Sequence, residues 1–191
     1  MFRDGNKIVS RSVFCILILL AGHAVHAGSA YFPLAVGTKW TYRCSAEGVF
    51  HFNKTLSIVS VKKNPKGGMT YRGEWKIGKD KKPLIVNYDA APDGRVESFY
   101  DVEPGTREVL MIPSPAIGGL VGSLKIVAQS VVSRNKFKNV RSLRLENFAL
   151  DAQTDAVKRS TWVGRLHGEN IGIMEESDGA GGNCVLSSMD K

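Results

Sequence analysis

Residues 38–45 have the sequence TKWTYRCS, in which large apolar and polar side chains alternate. Trp40, Tyr42 and Cys44 share one parity, and the residues between them are polar. Successive side chains of a β-strand point to opposite faces of its sheet, so this period of two predicts a half-buried strand. Residues 69–77, MTYRGEWKI, repeat the pattern. Their apolar parity consists of Met69, Tyr71, Trp75 and Ile77.

The remainder of the chain shows the same period and little helical periodicity. A change of apolar parity after Ile58 predicts a β-bulge near Ile58 and Val59. Clusters rich in Pro, Gly, Asn and Asp predict turns at residues 64–68, 92–94, 103–105 and 177–182. Further strands are predicted near residues 84–89, 95–101, 107–112, 123–133, 139–147, 157–164, 170–176 and 184–188. We therefore predict an all-β fold, a single strongly curved antiparallel sheet (half-barrel or barrel) of about ten strands, in one domain over residues 28–191.

The first residues of the chain have the three zones of a bacterial secretory signal peptide. Arg3, Lys7 and Arg11 form a basic zone, an apolar run covers residues 13–21, and a segment of small residues ends at Ala27. The apolar run is about half as long as the roughly twenty residues that a membrane-spanning helix needs. We therefore predict a signal peptide over residues 1–27, a periplasmic or secreted location, and no transmembrane anchor after cleavage.

Two cysteines remain after the predicted signal peptide, Cys44 near the start of the domain and Cys184 near its end. Exported proteins can keep disulfides because their compartment is oxidising. A bridge between these two would close a loop of about 140 residues, for which chain entropy gives roughly 5 kcal/mol of stabilisation. Two separate buried thiols are the alternative, because a bridge also requires Cβ atoms within about 4 Å of each other.

The formal net charge of the chain is +8, and the predicted signal peptide accounts for three basic residues and one acidic residue. A moderate positive charge attracts anionic lipid headgroups or polysaccharides weakly and in a salt-dependent way. The densest basic clusters, residues 62–66 and 79–83, contain turn-forming residues and therefore predict hairpin tips. We expect a weak attraction to anionic surfaces at most, and no nucleic acid partner.

Residues 31–42, YFPLAVGTKWTY, resemble the opening of a family of secreted bacterial proteins without an assigned activity. The shared motif is Tyr-Phe-Pro-Leu-x-Val-Gly-x-x-Trp-x-Tyr. Residues 137–140, FKNV, and residues 168–174, GENIGIM, are similar to later signatures of the same family. The resemblance implies a curved antiparallel sheet in an exported protein, broadly like the half-barrel lipoprotein carriers, and it implies no catalytic residues.

Catalytic chemistry has few candidate residues in this chain. His51 and His167 are the histidines that remain after residue 27. His51 lies between two phenylalanines and is expected on the polar side of its strand. His167 lies in residues 164–168, a stretch that predicts a turn. No nucleophile elbow, nucleotide-binding loop, zincin motif or paired-cysteine motif occurs in the sequence.

These observations predict a non-enzymatic protein with no catalytic residues, no metal site and no cofactor. The alternative from another class is a hydrolase acting on an envelope polymer. In that alternative His167 would work with an acidic partner such as Glu169 or Asp155.

Six aromatic residues on the apolar strand faces are the candidate binding residues: Trp40, Tyr42, Tyr71, Trp75, Tyr88 and Tyr100. If the sheet curves without filling its own concavity, these rings would line a cavity for a lipid or another hydrophobic ligand. A packed core is the other interpretation, because large rings also fill small barrels. The leading hypothesis is a domain that binds an apolar ligand in its concavity or an envelope protein at an open sheet edge. A purely structural or interaction protein is a further alternative.

Overall fold

The computed structural model describes residues 29–46, 50–147, 163–178 and 182–191, and all helical or strand structure in these ranges is β-strand. None of these residues forms a helix long and apolar enough to cross a membrane. The predicted signal peptide and most of the strand predicted at residues 157–164 lie outside the described ranges. The strands are β1 (Lys39–Ala46), β2 (Phe50–Lys63), β3 (Met69–Ile77), β4 (Leu84–Ala90), β5 (Val96–Tyr100), β6 (Glu103–Met111), β7 (Leu120–Val121), β8 (Leu124–Arg134), β9 (Phe137–Asn147), β10 (Val163–Gly168), β11 (Gly172–Asp178) and β12 (Asn183–Asp190).

The strands of the described residues form one antiparallel sheet in the order β6-β5-β4-β3-β2-β1-β12-β11-β10-β9-β8-β7. Neighbours in the sheet are consecutive in the chain, except that β1 pairs with β12. The sheet edges, β6 and β7, also approach each other: a Cβ atom on Gly122, directly after β7, would lie 3.3 Å from the carbonyl oxygen of Val109 in β6. The sheet is therefore nearly closed as a barrel. We call the junction of β6 and β7 the seam.

This architecture confirms the predicted all-β fold and its single strongly curved antiparallel sheet. The prediction was about ten strands, whereas the described residues alone form twelve. The short strand β7 has no counterpart among the predicted strands, whereas β10, β11 and β12 correspond to the three strands predicted in the C-terminal region.

Strand β1 follows the alternation of its sequence. Trp40, Tyr42 and Cys44 are buried, whereas Lys39 and Arg43 are exposed. Because β1 is paired on both sides, with β2 and with β12, its backbone groups are used within the sheet. The apolar side chains of β1 face the interior, where they belong to the core of the barrel.

The predicted bulge is present in β2. The register of β2 against β3 shifts between Ile58 and Ser60, so Val59 is the extra residue. The backbone of Ile58 is also held by the segment that precedes β1. Its N–H donates to the carbonyl oxygen of Thr38 at 3.0 Å, and its carbonyl oxygen accepts from the N–H of Gly37 at 2.9 Å. A bulge bends a strand and increases its twist, which helps a sheet to close.

Cys44 and Cys184 form a disulfide between β1 and β12. The two residues are direct partners in the antiparallel register, with Cα atoms 4.0 Å apart. Of the two interpretations that the sequence left open, the bridge is therefore the one found in the structure. We call the paired strands β1 and β12, together with this bridge, the tie.

Residues 29–38 enter the barrel before β1 begins. Leu34 is fully buried and Phe32 nearly so. The ring of Phe32 contacts Tyr88 of β4 at a centroid distance of 5.7 Å and His167 of β10 at 6.1 Å. Since β4 and β10 stand on opposite sides of the tie in the strand order, Phe32 connects two walls of the barrel. In a small barrel, side chains of the strands usually fill the interior. Here the segment before β1 fills part of it.

Two predicted turns are wrong. Residues 103–105 belong to strand β6, and the turn lies before them at residues 101–102. β6 is an edge strand, where the missing N–H of a proline is tolerated. Residues 164–168 belong to strand β10. Gly168 is required there by close packing, because a Cβ atom on it would lie 2.5 Å from the sulfur of Met174.

Candidate ligand-binding site

A cavity opens in the interior of the barrel, between walls formed by β1 to β6, β10 and β11. The centres of water molecules can reach about 90 Å³ of it. One water needs about 10 to 15 Å³ by this measure, so the space holds several waters or a compact apolar group. Its aromatic lining consists of Phe32, Trp40, Tyr42, Trp75, Tyr88 and Tyr100. Its aliphatic lining consists of Leu56, Val86, Leu110 and Ile173. Its polar lining consists of Lys54, Ser98, Glu108, Arg165 and Glu176.

The structure brings five of the six predicted aromatic residues together on this wall. They are Trp40, Tyr42, Trp75, Tyr88 and Tyr100. Tyr71 is buried in β3, where its register partner is Tyr88, but it does not line the cavity. Strand parity therefore placed these rings on the inner face, and position along the strand decides which of them reach the open space. That they bind a ligand stays a prediction.

Phe32 lines the cavity but was not among the predicted residues. It lies before β1, in a segment where the two-residue period does not apply. The signal that pointed to it was its place in the motif at residues 31–42, which carried a fold expectation and no role for single side chains.

Ring contacts fix the geometry of the wall. Tyr42 and Trp75 pack at a centroid distance of 5.9 Å with an interplanar angle of 41°. The ammonium group of Lys54 lies 4.1 Å from the centroid of the Trp75 ring, a cation–π contact. Trp75 and Tyr100 remain partly exposed, and Tyr100 keeps 38% of its surface accessible. These two rings therefore mark the side on which the cavity meets solvent.

The phenol groups of the wall remain protonated at physiological pH. Burial is the main cause that raises the pKa of Tyr42 and of Tyr88 above the ordinary value of 10.0. The pKa of Tyr100 is raised as well, first by burial and then by the negative charge of Glu108. A protonated phenol can both donate and accept a hydrogen bond, so the wall offers neutral polar groups beside its rings.

Four charged side chains form a chain of ion pairs at the rim. Arg165 of β10 contacts Glu176 of β11 at 2.9 Å and Glu108 of β6 at 2.7 Å. Glu176 also lies 3.9 Å from the ammonium of Lys54 in β2. The series Lys54, Glu176, Arg165, Glu108 thus runs across the rim from β2 to β6. It joins β2 and β6 on one side of the tie to β10 and β11 on the other.

The ion pairs keep Arg165 and Glu176 charged. Burial acts to lower the pKa of Arg165, but Glu176 and Glu108 raise it above its ordinary value. Burial acts in the opposite sense on Glu176, and the charges of Arg165 and Lys54 lower its pKa below the ordinary value. Arg165 therefore presents a permanent positive charge to the cavity.

Sequence reasoning missed this charged rim. Arg165 shares its strand parity with the buried His167, so a charged residue stood on an inward face. That signal was hidden because residues 164–168 were interpreted as a turn. Correct assignment of β10 would not by itself have placed Arg165 inward, because Leu166, the apolar residue of the opposite parity, is buried as well.

His167 is a core residue. Its side chain is fully buried, and Nδ1–H donates to the carbonyl oxygen of Tyr31 at 3.1 Å. Nε2 is buried without a hydrogen-bond partner among the described residues. Burial first, and then the charge of Arg165, lower the pKa of His167 to about 4, so the ring is neutral.

The arrangement around His167 does not match the hydrolase alternative. Glu169, one of the acidic partners considered, forms a two-point ion pair with Arg141 at 2.5 and 2.7 Å. Asp155, the other, lies outside the described residues. His51 is exposed on β2, as predicted. Within the described ranges, no group of three or more His, Cys, Asp or Glu side chains could hold a metal ion.

The two end segments that carry the family resemblance meet in the structure. The indole N–H of Trp40 donates to the carbonyl oxygen of Ile171 at 2.6 Å. The N–H of Asn170 donates to the carbonyl oxygen of Ala30 at 2.5 Å. Gly172 has φ of 94°, and a Cβ atom there would lie 3.6 Å from the Trp40 nitrogen. These residues join the N-terminal segment to the β10–β11 turn, so their role is structural.

No family model and no curated protein matches this chain. Among solved structures, the chain is similar to a "putative exported protein with YmcC-like fold" from Bacteroides fragilis, with a TM-score of 0.52 and 12% identity over 84% of this chain and 98% of that chain. It also matches a "putative lipoprotein" from Parabacteroides distasonis, with a TM-score of 0.43 and 8% identity over 85% and 99% of the two chains. The first likeness defines the class of fold, an all-β, YmcC-like sheet.

Proposed function

We propose that this protein is exported and binds a small apolar ligand in the aromatic cavity, without catalysing a reaction. The observation that carries the proposal is the cavity itself: rings from four strands and from the N-terminal segment surround space that the barrel leaves open. Pockets of this kind, mostly apolar with a few polar groups, are typical of small-molecule sites.

Two features support export. Residues 1–27 have the zones of a secretory signal, and their apolar run is too short for a membrane-spanning helix. The bridge between Cys44 and Cys184 belongs to an oxidising compartment such as the periplasm. The description of the structural neighbour as exported agrees with this reading.

The absence of catalysis is supported by the state of the histidines. The ring of His167 is neutral and fully buried, so it cannot reach a substrate in the cavity. His51 is exposed on the outer parity of β2, away from the cavity wall. General acid–base catalysis requires a titrating group within hydrogen-bond reach of the reacting atom.

The experiment is a titration of the folded domain with N-phenyl-1-naphthylamine, a neutral apolar probe that fluoresces on leaving water. We expect saturable binding of one probe per chain. Replacing Leu110 with Phe adds volume to the cavity wall and should weaken binding by about tenfold or more. Val131→Phe is the matched control, because Val131 is 65% exposed on β8 outside the cavity. Unsaturable binding, or equal affinity in all three proteins, would refute the proposal.

A second candidate function is strand addition by an envelope partner at the open edge of β8. β8 has eleven residues, whereas its outer neighbour β7 has two. Among the described residues, β8 beyond Ile126 is therefore paired on one side only. Open strand edges are templates for pairing with another chain. Native mass spectrometry of protein purified from its own host tests both candidates, and a monomer without ligand or partner would count against both.

A further inference from the structure

Arg165 stands where the apolar cavity meets the solvent. It lies on β10 with only 16% of its side chain exposed, and it lines the cavity together with Leu110 and Tyr100. Nε and Nη2 of its guanidinium both contact one oxygen of Glu176 at 2.9 Å. Nη1 contacts an oxygen of Glu108 at 2.7 Å. Each edge of the guanidinium thus has its own carboxylate.

The two carboxylates are held very differently. Glu176 is the register partner of Arg165 on the adjacent strand, and its side chain is 31% exposed. Glu108 comes from the edge strand β6, across the rim, and its side chain is 53% exposed. Ion pairs between exposed groups contribute little stability, and the Glu108 carboxylate is mostly in solvent. Glu108 can therefore be hydrated at small cost to itself when it leaves Arg165, while Glu176 remains in place as the counter-charge of the buried guanidinium.

The number of charges at the rim also favours the binding of an anionic group at Arg165. Lys54 and Arg165 are matched by Glu108 and Glu176 when all four are in contact. When Glu108 turns to solvent, the Nη1 edge of Arg165 is left without a counter-charge beside an apolar cavity. A guanidinium edge is well suited to a planar carboxylate, which it binds through charge-assisted hydrogen bonds.

We infer that the ligand is an amphiphile with a carboxylate head, whose apolar part occupies the cavity and whose head replaces Glu108 on Nη1 of Arg165. In the protein without ligand, the Glu108 carboxylate then occupies the position on Arg165 that the carboxylate of the ligand takes on binding. This inference rests on the proposed function, since it assigns the chemistry of a ligand bound in the same cavity. Arg165 and Glu108 become the residues that determine specificity.

The test compares octanoate with octan-1-ol, which share a tail and differ in charge, by competition against N-phenyl-1-naphthylamine. We expect the wild-type protein to bind octanoate about tenfold more tightly than octan-1-ol. Glu108→Gln removes the competing carboxylate and should increase the preference for octanoate over octan-1-ol several-fold. Arg165→Gln should abolish the preference for octanoate. Arg141→Gln is the matched control, because this arginine pairs with Glu169 on the surface away from the cavity.

The outcomes separate this inference from the proposed function. Equal binding of the two compounds, unchanged in Glu108→Gln, would overturn the carboxylate head and leave apolar binding intact. Failure of the neutral probe and of both compounds to bind would remove the proposed function and this inference with it. Since Glu108 is largely exposed, its variant keeps the test decisive even where Arg165→Gln fails to fold.

Discussion

The tie and the seam are the two junctions that complete the barrel, and they are built in opposite ways. The tie joins strands at the two ends of the sequence, with seven residue pairs, a disulfide and the buried contacts of Trp40. The seam joins strands that are neighbours in the chain, yet its strand β7 has only two residues. In the strand order the tie is at the centre and the seam is at the ends.

The difference teaches where such a sheet needs strong contacts. Bringing β1 to β12 orders the whole intervening chain, and a disulfide lowers that entropic cost by restricting the unfolded state. β6 and β7 are already held near each other by the short segment between Met111 and Leu120. The seam can therefore stay weakly paired, and Glu108 of β6 can move at the rim without loss of the fold.

The largest expected effect comes from breaking the bridge of the tie. Cys44→Ser with Cys184→Ser removes a constraint over 140 residues of sequence separation. We expect the free energy of unfolding to fall by about 5 kcal/mol. Urea denaturation measures this, and wild-type protein in reductant should show the same loss. A fall of less than about 1 kcal/mol would mean that strand pairing alone holds the tie.

The next effect is a pH dependence that comes from His167. Its pKa is about 4 in the folded protein against 6.5 for the ordinary group, because burial and Arg165 disfavour the charged ring. Protons therefore bind preferentially to the unfolded chain, so this contribution is complete above pH 6.5 and is lost as pH falls toward 4. The loss should reach about 3 kcal/mol.

Denaturation at a series of pH values measures this slope. His167→Gln should flatten it between pH 6.5 and 4. His51→Gln is the matched control, since His51 is exposed on β2, and it should leave the slope as in wild type. A slope that survives in His167→Gln would assign it to other groups.

A smaller effect is expected from Trp40→Phe. The variant keeps a ring in the core but leaves the carbonyl oxygen of Ile171 without its donor. An unsatisfied buried acceptor and the lost ring volume together cost about 2 kcal/mol. Chemical denaturation gives the value, and a change within about 0.5 kcal/mol would show that this contact adds little to the tie.

The smallest effect belongs to the seam. Glu108→Gln removes an ion pair whose acidic partner is 53% exposed, so the free energy of unfolding should change by less than about 1 kcal/mol. The same denaturation experiment measures it. A loss comparable to that of the tie variants would contradict the description of Glu108 as an exchangeable partner of Arg165.

The strands could be predicted from the sequence because apolar and polar residues alternate along them, and this alternation follows which side chains are buried. Trp40, Tyr42 and Cys44 face the interior, and the bulge after Ile58 follows from the parity change. The two wrong turns show the limit of the method. Glycine and proline predict turns, but Pro104 is tolerated in an edge strand and Gly168 is required by the sulfur of Met174.

Only part of the candidate site could be predicted from the sequence. Parity placed five rings on the cavity wall, whereas Phe32 enters from an irregular segment to which no period applies. The ion pair of Arg165 with Glu108 joins β10 to β6, which are distant in the chain and face each other only after the sheet has closed. Contacts of that kind depend on closure, which local patterns do not encode.

The disulfide also determines how the molecule bears mechanical load. Cys44 lies near the end of β1 and Cys184 near the start of β12, so a force applied to the two chain ends passes through the sulfur bridge. The ten strands from β2 to β11 form a covalently closed loop that cannot be stretched while the bridge is intact. Pulling would extend only the segments outside the loop, which include Phe32, Trp40 and Tyr42, whereas the cavity residues from Lys54 to Glu176 would be shielded from tension.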